Sequence, residues 1–265
     1  MPARSVAEAI DGAVFDFALR TSQRQGLNSM AEPARRGDLR GSSIAPVIER
    51  LAELDRELKR SDGVRRFNDL YLATTGAIES QVAKGGFEDP DFLTALDVAF
   101  AGRYFAAVDA AAHRGAPSPA WAPLFADRFK PRIAPIQFAL AGMNAHVNFD
   151  LCEALVATCA ARKVELASDS AQHRDYLKVN AILARVEEET KRRFRSELIH
   201  VADEVLGRLD DVLAMWSLDR ARDAAWTHAE ILWELRRSSF LEDRYVDTLG
   251  HIVGLAGRGL LVATL

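Results

Sequence analysis

The sequence predicts an all-α protein, a single-domain bundle of about eight to ten helices around a central buried helix. Apolar residues recur every three or four positions through most of the chain, which is the spacing of a helix with one buried face. Asp89-Pro90 and Ser118-Pro119 have the composition of helix starts. No stretch of useful length alternates apolar and β-branched residues with polar ones, so no strand is predicted.

The chain divides at about residue 45. Residues 1 to about 22 have helical apolar spacing, and residues 21–43 are rich in Gly, Ser, Arg and Pro, which is typical of a linker. We therefore predict an N-terminal helical arm and flexible linker over residues 1–45 and an all-helical domain over residues 46–265. The arm would pack on this domain or on a second copy of the chain, which would make a homo-oligomer.

The domain begins with two amphipathic helices. The first starts near Pro46, carries apolar residues on one stripe and ends at Ser61, where Asp62 can cap the next helix. The second helix buries a stripe that includes Phe67 and Tyr71, and it closes at Gly85.

The helix that begins at Pro90 carries an acidic residue on its apolar side. Asp97 lies on the same side as Phe100 and Tyr104. A buried carboxylate must be paired, hydrogen-bonded or bound to metal. A bond to Arg103 or to a helix terminus is the structural alternative to a functional role.

A short helix is predicted to open at Ser118-Pro119 with Trp121 as a core anchor, and Pro135 is predicted to begin the central helix. This central segment, residues 135–159, is almost free of charge, yet it contains polar residues in its middle. Four of its residues share one face: Gly142, His146, Asp150 and Glu153.

A histidine and an aspartate four residues apart on a helix can reach one point. His146 and Asp150 therefore suit either a metal site or acid–base chemistry, and the small Gly142 beside them lets another element approach. A hydrogen-bonded pair with a purely structural role is the alternative.

The rest of the chain is also helical in pattern. A segment of more than 40 residues after Glu165 is longer than most globular helices, and we predict a break near Ser196. The next helix, over residues 217–237, places Arg222, Trp226, Glu230 and Trp233 on one side. Its two tryptophans, which flank the glutamate, would wall a pocket or pack in the core. His228 is predicted to be a core histidine with one nitrogen satisfied.

Composition excludes several functions. The net charge of -4 and the pI near 5.9 provide no basic surface for nucleic acid. No apolar run is long enough to span a membrane, and acidic residues near the start disfavour a secretory signal, so we expect a cytoplasmic protein. Nucleotide-binding, α/β-hydrolase, H-E-x-x-H metalloprotease and di-iron bundle motifs are absent.

Several long motifs carry a resemblance to a known family. They are FNDLYLATT at 67–75, FEDPDFLTALDVAFAGRYF at 87–105, and RIAPIQFALAGMNAHVNFDL at 132–151, which contains PIQFALAGMNAHVNFDL. Over about residues 45–260 the chain resembles a family of uncharacterised bacterial proteins known only as a domain of unknown function. The resemblance implies a shared helical fold and brings no established activity.

A second similarity concerns metal chemistry. The segment GMNAHVNFDL is similar to the His-x-x-x-Asp helix motif of the all-helical zinc-dependent phospholipase C and single-strand nuclease superfamily. It implies that His146 and Asp150 bind zinc, together with an earlier aspartate and histidine, here Asp97 and His113. The chain departs from that pattern at Glu153, near which the superfamily has another histidine.

The function predicted from these residues is a metal-assisted hydrolase with catalytic His146, Asp150 and Asp97. A divalent metal, zinc, manganese or iron, would be held by these three residues and His113 and would activate water. Without a metal, His146 oriented by a carboxylate would act as a general base on a small substrate. Residues predicted to contact the substrate are Asn144, Asn148, Tyr104, Trp226, Glu230 and Trp233, with His228 nearby.

The rival hypothesis is a non-catalytic helical binding or interaction module. In that case the same polar residues form a structural buried network, and the aromatic side chains bind a hydrophobic ligand or a partner helix.

Overall fold

The computed structural model describes residues 43–113, 115–197 and 217–262, and this part of the chain is all-α without a strand, as predicted. The predicted arm lies outside the described residues, as does most of the linker. Residues 198–216 also lie outside the described part, and they begin close to where the sequence predicts a break in the long helix.

Four helices precede the centre of the domain: α1 (Ala45–Glu57), α2 (Gly63–Val82), α3 (Pro90–Ala112) and α4 (Ala122–Asp127). Two of the predicted caps are present, because Asp62 accepts a hydrogen bond from the Val64 N–H and Asp89 accepts one from the Phe92 N–H. The side chain of Arg128 also binds the Asp62 carboxylate. Together these contacts fix where α2 and α3 begin.

The short helix begins later than the sequence predicts. Residues 119–121 form a turn in which the Ser118 carbonyl accepts hydrogen bonds from the N–H groups of Trp121 and Ala122. Ser118 is therefore the first residue of a turn, and α4 starts at Ala122.

The central segment is helical throughout, although its geometry changes in the middle. It consists of α5 (Pro135–Ala145), a π-helical turn (His146–Asp150) and α6 (Leu151–Arg162), and Pro135 is its first helical residue, as predicted. At the end of the π turn the Leu151 N–H donates to the His146 carbonyl, five residues back. Single π turns inside α-helices occur frequently at functional sites.

Three helices complete the described fold: α7 (Ala171–Glu197), α8 (Leu218–Leu235) and α9 (Ser239–Leu260). The central segment is surrounded, since α5 packs against α2 and α9 while α6 packs against α3 and α8. Helix α7 packs against α2, α3 and α8. No described helix combines the length and the hydropathy that a bilayer crossing requires.

Helix α5 comes very close to α2 at Gly142. A Cβ atom on Gly142 would lie 2.4 Å from Cγ of Phe67, so a glycine is required for this packing. The close approach places the aromatic residues of α2 against the π turn.

Candidate functional site

His146 and Asp150 form a buried pair across the π turn. The His146 Nδ1 lies 2.9 Å from Oδ2 of Asp150, and the two residues are 1% and 3% exposed. The Trp121 Nε1–H donates to the same carboxylate oxygen at 2.9 Å. Because an ionised carboxylate only accepts hydrogen bonds, the proton of the neutral imidazole lies on Nδ1 and the lone pair lies on Nε2.

The other nitrogen of His146 has no partner in the part of the chain that the structure describes. Nε2 is buried and makes no hydrogen bond with the described residues. A buried nitrogen without a partner costs on the order of 1–3 kcal/mol. This nitrogen is therefore either a tolerated defect or the working atom of the site.

Five aromatic rings enclose the imidazole of His146. Phe100 stacks on it with ring centroids 3.5 Å apart and an interplanar angle of 5°. Four further rings have centroids within 6.1 Å: Phe67, Tyr71, Tyr104 and Trp121. This apolar enclosure lowers the pKa of His146, mainly through burial, although the hydrogen bond with Asp150 opposes the shift.

Asp97 is buried, as predicted, but its expected structural partner binds elsewhere. Arg103 makes its ion pair with Glu153, at 2.8 Å, so the predicted alternative of an Asp97–Arg103 bond is wrong. Asp97 is 8% exposed and its Oδ2 has no partner among the described residues. Burial, together with the charge of Glu79, raises the pKa of Asp97 to about 7.

His146 and Asp97 line the same cavity. Its volume is about 70 Å³, and it is bounded by α2, α3, the central segment, α7 and α8. Three other polar side chains line it: Tyr71, Thr74 and Arg222. The remaining lining is apolar: Ile78, Leu93, Leu96, Phe100, Met143, Val147, Leu151, Val179, Leu183 and Leu218. An apolar cavity with a few convergent polar groups is the usual form of a small-molecule site.

The four predicted metal ligands are not brought together around one point. His113 is exposed at the end of α3, where its Nδ1 contacts the Asp109 carbonyl, and it lies roughly 24 Å along the helix from Asp97. Asp150 binds the Nδ1 edge of His146, on the other side of the ring from Nε2. Within the described residues no group of three or more His, Cys, Asp or Glu side chains is arranged to hold a metal ion. The positions of these residues therefore do not fit a metal site that uses all four predicted ligands.

Three of the predicted substrate contacts lie outside the cavity lining and tie helices together. Asn144 donates to the Val253 carbonyl at 2.9 Å and accepts from Asn148, which links the central segment to α9. The Tyr104 hydroxyl donates to Asn68 at 3.2 Å. These side chains already have partners within the fold.

The α8 residues predicted to wall a pocket, Trp226, Glu230 and Trp233, do not line the cavity either. Trp226 donates to Glu230 at 2.9 Å, and Trp233 donates to Glu165 at 3.1 Å. His228 is half-buried and does not lie in the core, contrary to the prediction, but its Nδ1 lies 2.7 Å from the Tyr245 hydroxyl, so one nitrogen is satisfied as predicted. The packing alternative describes the two tryptophans better than a pocket wall.

Three residues of the site were not predicted from the sequence. Trp121 was identified only as a core anchor, and nothing in the sequence indicates that its indole binds Asp150, 29 residues later. Tyr71 was predicted as an ordinary core residue. Arg222 offered a signal, since it is a charged residue on the buried stripe of α8.

Comparison with known proteins identifies the family and no activity. A model of the family of unknown function (DUF5995) matches residues 44–263, which include the central motif and the whole cavity lining. No curated protein and no solved structure matches the chain at a significant level. The similarity to the zinc-dependent superfamily stays a prediction. The chain therefore belongs to the family of unknown function DUF5995.

Proposed function

We propose that the protein is an acid–base enzyme that acts on a small molecule in the cavity, with His146 as the general base and Asp97 as the proton donor. The observation that carries this proposal is the free Nε2 of His146, on a ring whose other nitrogen is held by Asp150. Such an orienting carboxylate fixes the tautomer of the base and stabilises the imidazolium that forms on proton transfer.

The two titratable groups have complementary protonation states. The lowered pKa of His146 keeps its imidazole neutral near pH 7, and the raised pKa of Asp97 leaves part of that carboxyl protonated. In a hydrolysis, Nε2 takes a proton from water, the resulting hydroxide attacks the substrate, and Asp97 gives its proton to the leaving group. The cavity volume is sufficient for a water molecule beside a small substrate.

The test is a turnover screen with small esters, amides and other hydrolysable substrates. His146→Gln should lower kcat/KM by at least about 100-fold, which is the usual contribution of a general base. His251→Gln is the matched control, because His251 is an exposed histidine on α9 that contacts the Asp247 carbonyl. A His146→Gln enzyme with unchanged kcat/KM would overturn the assignment.

A protonation measurement tests the same assignment without a substrate. Nitrogen NMR of His146 should show a neutral ring with its proton on Nδ1 at pH 7, titrating below the ordinary histidine pKa of about 6.5. A charged His146 ring at pH 7 would contradict the proposal.

The metal-assisted form of hydrolysis is less well supported, because the described residues provide no third ligand near His146 and Asp97. Metal analysis of protein purified without chelator, beside a His146→Ala variant, separates the two forms. If the wild-type protein contains stoichiometric zinc, manganese or iron and the His146→Ala variant does not, the result would favour metal-assisted hydrolysis.

The rival function is a binding module without catalysis, and the near-complete burial of His146 under Phe100 supports it. In that case His146→Gln would leave ligand affinity unchanged, and the wild-type protein would turn over none of the ligands that it binds.

A further inference from the structure

In the part of the chain that the structure describes, Arg222 is a buried cation without an ion-pair partner. The residue is 7% exposed on α8, and no carboxylate among the described residues lies within ion-pair distance of its guanidinium. The carboxylates of Asp219 and Asp223 act on it only from farther away. Its contacts with the described residues are all with uncharged groups. Nε donates to the Asn180 amide oxygen at 2.6 Å, Nη2 donates to the Tyr176 carbonyl at 2.8 Å, and the guanidinium lies 3.8 Å from the centroid of the Tyr176 ring.

A buried charge is normally paired, because removal from water costs several kcal/mol that a neutral hydrogen bond only partly offsets. The contacts of Arg222 fix the plane of its guanidinium and leave Nη1 without a partner in the described part of the chain. Arg222 also lines the cavity that contains His146 and Asp97. The side chain is thus oriented, and no described residue places a negative charge in contact with it.

The lining of the cavity indicates what kind of anion would fit. One guanidinium balances one negative charge, and its planar fork matches a carboxylate. Most of the other lining residues are aliphatic or aromatic, which suits a hydrocarbon body. A phosphate dianion would need more positive charge than the described lining offers. The volume of about 70 Å³ suits a ligand with on the order of five to seven non-hydrogen atoms.

We propose that Arg222 binds the carboxylate of a small organic acid with an apolar body, so that the rest of the molecule occupies the cavity beside His146 and Asp97. This inference rests on the proposed function and deepens it, because it gives the substrate class of the same site. The acid places against Arg222 a negative charge that no described residue provides at contact distance, and the aliphatic wall formed by Val179, Leu183 and Leu218 contacts its hydrocarbon part.

Binding of isovalerate and its neutral isostere isovaleramide to the wild-type protein tests the proposal. Calorimetry should show isovalerate binding at least about tenfold more tightly than isovaleramide, because a charge-assisted hydrogen bond is about twice as strong as a neutral one. Isovalerate should also raise the Tm, because a ligand that binds only the folded state stabilises it. Inorganic phosphate should bind no better than isovaleramide.

Variants separate this inference from the proposed catalysis. Arg222→Gln should weaken isovalerate at least tenfold and leave isovaleramide almost unchanged, while His146→Gln should retain isovalerate binding. Equal affinity of the wild-type protein for the acid and the amide would overturn the inference, and this comparison needs no variant to fold. If the acid binds through Arg222 but His146→Gln leaves turnover unchanged, the catalytic assignment fails and the carboxylate site stands.

Discussion

Asp97 and His146 show how burial acts on single titratable residues. The folded protein holds the Asp97 carboxyl with a pKa of about 7, whereas an unfolded chain releases that proton near the ordinary value of 3.8. Between these values the folded state binds more protons, so this residue makes the free energy of unfolding fall as pH rises. The lowered pKa of His146 acts in the opposite direction and destabilises the fold as pH falls through about 6.5.

Replacement of the Asp97 carboxyl by a neutral amide should therefore stabilise the protein. Asp97→Asn should raise the free energy of unfolding by about 1–4 kcal/mol at pH 8 and by much less at pH 4.5. Urea denaturation at the two pH values measures this difference. The exposed Asp243→Asn on α9 is the control, and a less stable Asp97→Asn at pH 8 would show that the carboxylate is needed by the fold.

At the level of elements, the close contacts of the helices depend on small residues. Gly254 of α9 lies directly over the turn that precedes α4, and a Cβ there would be 2.2 Å from the Pro119 carbonyl oxygen. Because that obstacle is backbone, it cannot rotate away as a side chain can. The contact holds α9 against the turn that carries Trp121, the donor to Asp150.

Two alanine substitutions in α9 should have opposite effects. Gly254→Ala should lower the free energy of unfolding by about 1–3 kcal/mol, because the added methyl group overpacks the contact. Gly259→Ala in the same helix meets no atom within 4 Å and should raise it by about 0.5–1 kcal/mol through helix propensity. Thermal unfolding of both variants measures the effects, and similar Tm values would show that α9 can move away from the turn.

At the level of the whole domain, buried carboxylates join helices that are distant in sequence. Asp175 of α7 is fully buried and accepts hydrogen bonds from the Glu88 and Asp89 N–H groups at 2.7 Å and from Lys178 at 3.1 Å. It thereby ties α7 to the start of α3. Both helices line the cavity, so this joint holds two of its walls together.

Loss of that joint should destabilise the domain. Asp175→Ala leaves two backbone N–H groups without their acceptor and should cost about 2–4 kcal/mol. Chemical denaturation with the exposed Asp243→Ala as control measures the effect. A loss below about 1 kcal/mol would mean that water replaces the carboxylate at little cost.

The features predicted correctly from the sequence depend on signals between residues that are close along the chain. The caps at Asp62 and Asp89 act within three residues, and the apolar stripes report directly on burial, so the helices of the described region follow from the sequence. The pairing of His146 with Asp150 is likewise local to one turn. The substrate contacts predicted on α8 do not line the cavity. The sequence could not reveal this, because a stripe of aromatic residues has the same spacing in a core as in a pocket wall.

The sequence by itself determined the all-α class, the starts of α2, α3 and α5, and a central helix with one polar face at Gly142, His146 and Asp150. Those features depend on spacing and capping along the chain. Only the tertiary structure decided that Trp121 holds Asp150, that Arg103 binds Glu153 instead of Asp97, and that Arg222 lines the same cavity as His146. These contacts join residues far apart in the chain, and helix packing, which no local pattern encodes, brings them together.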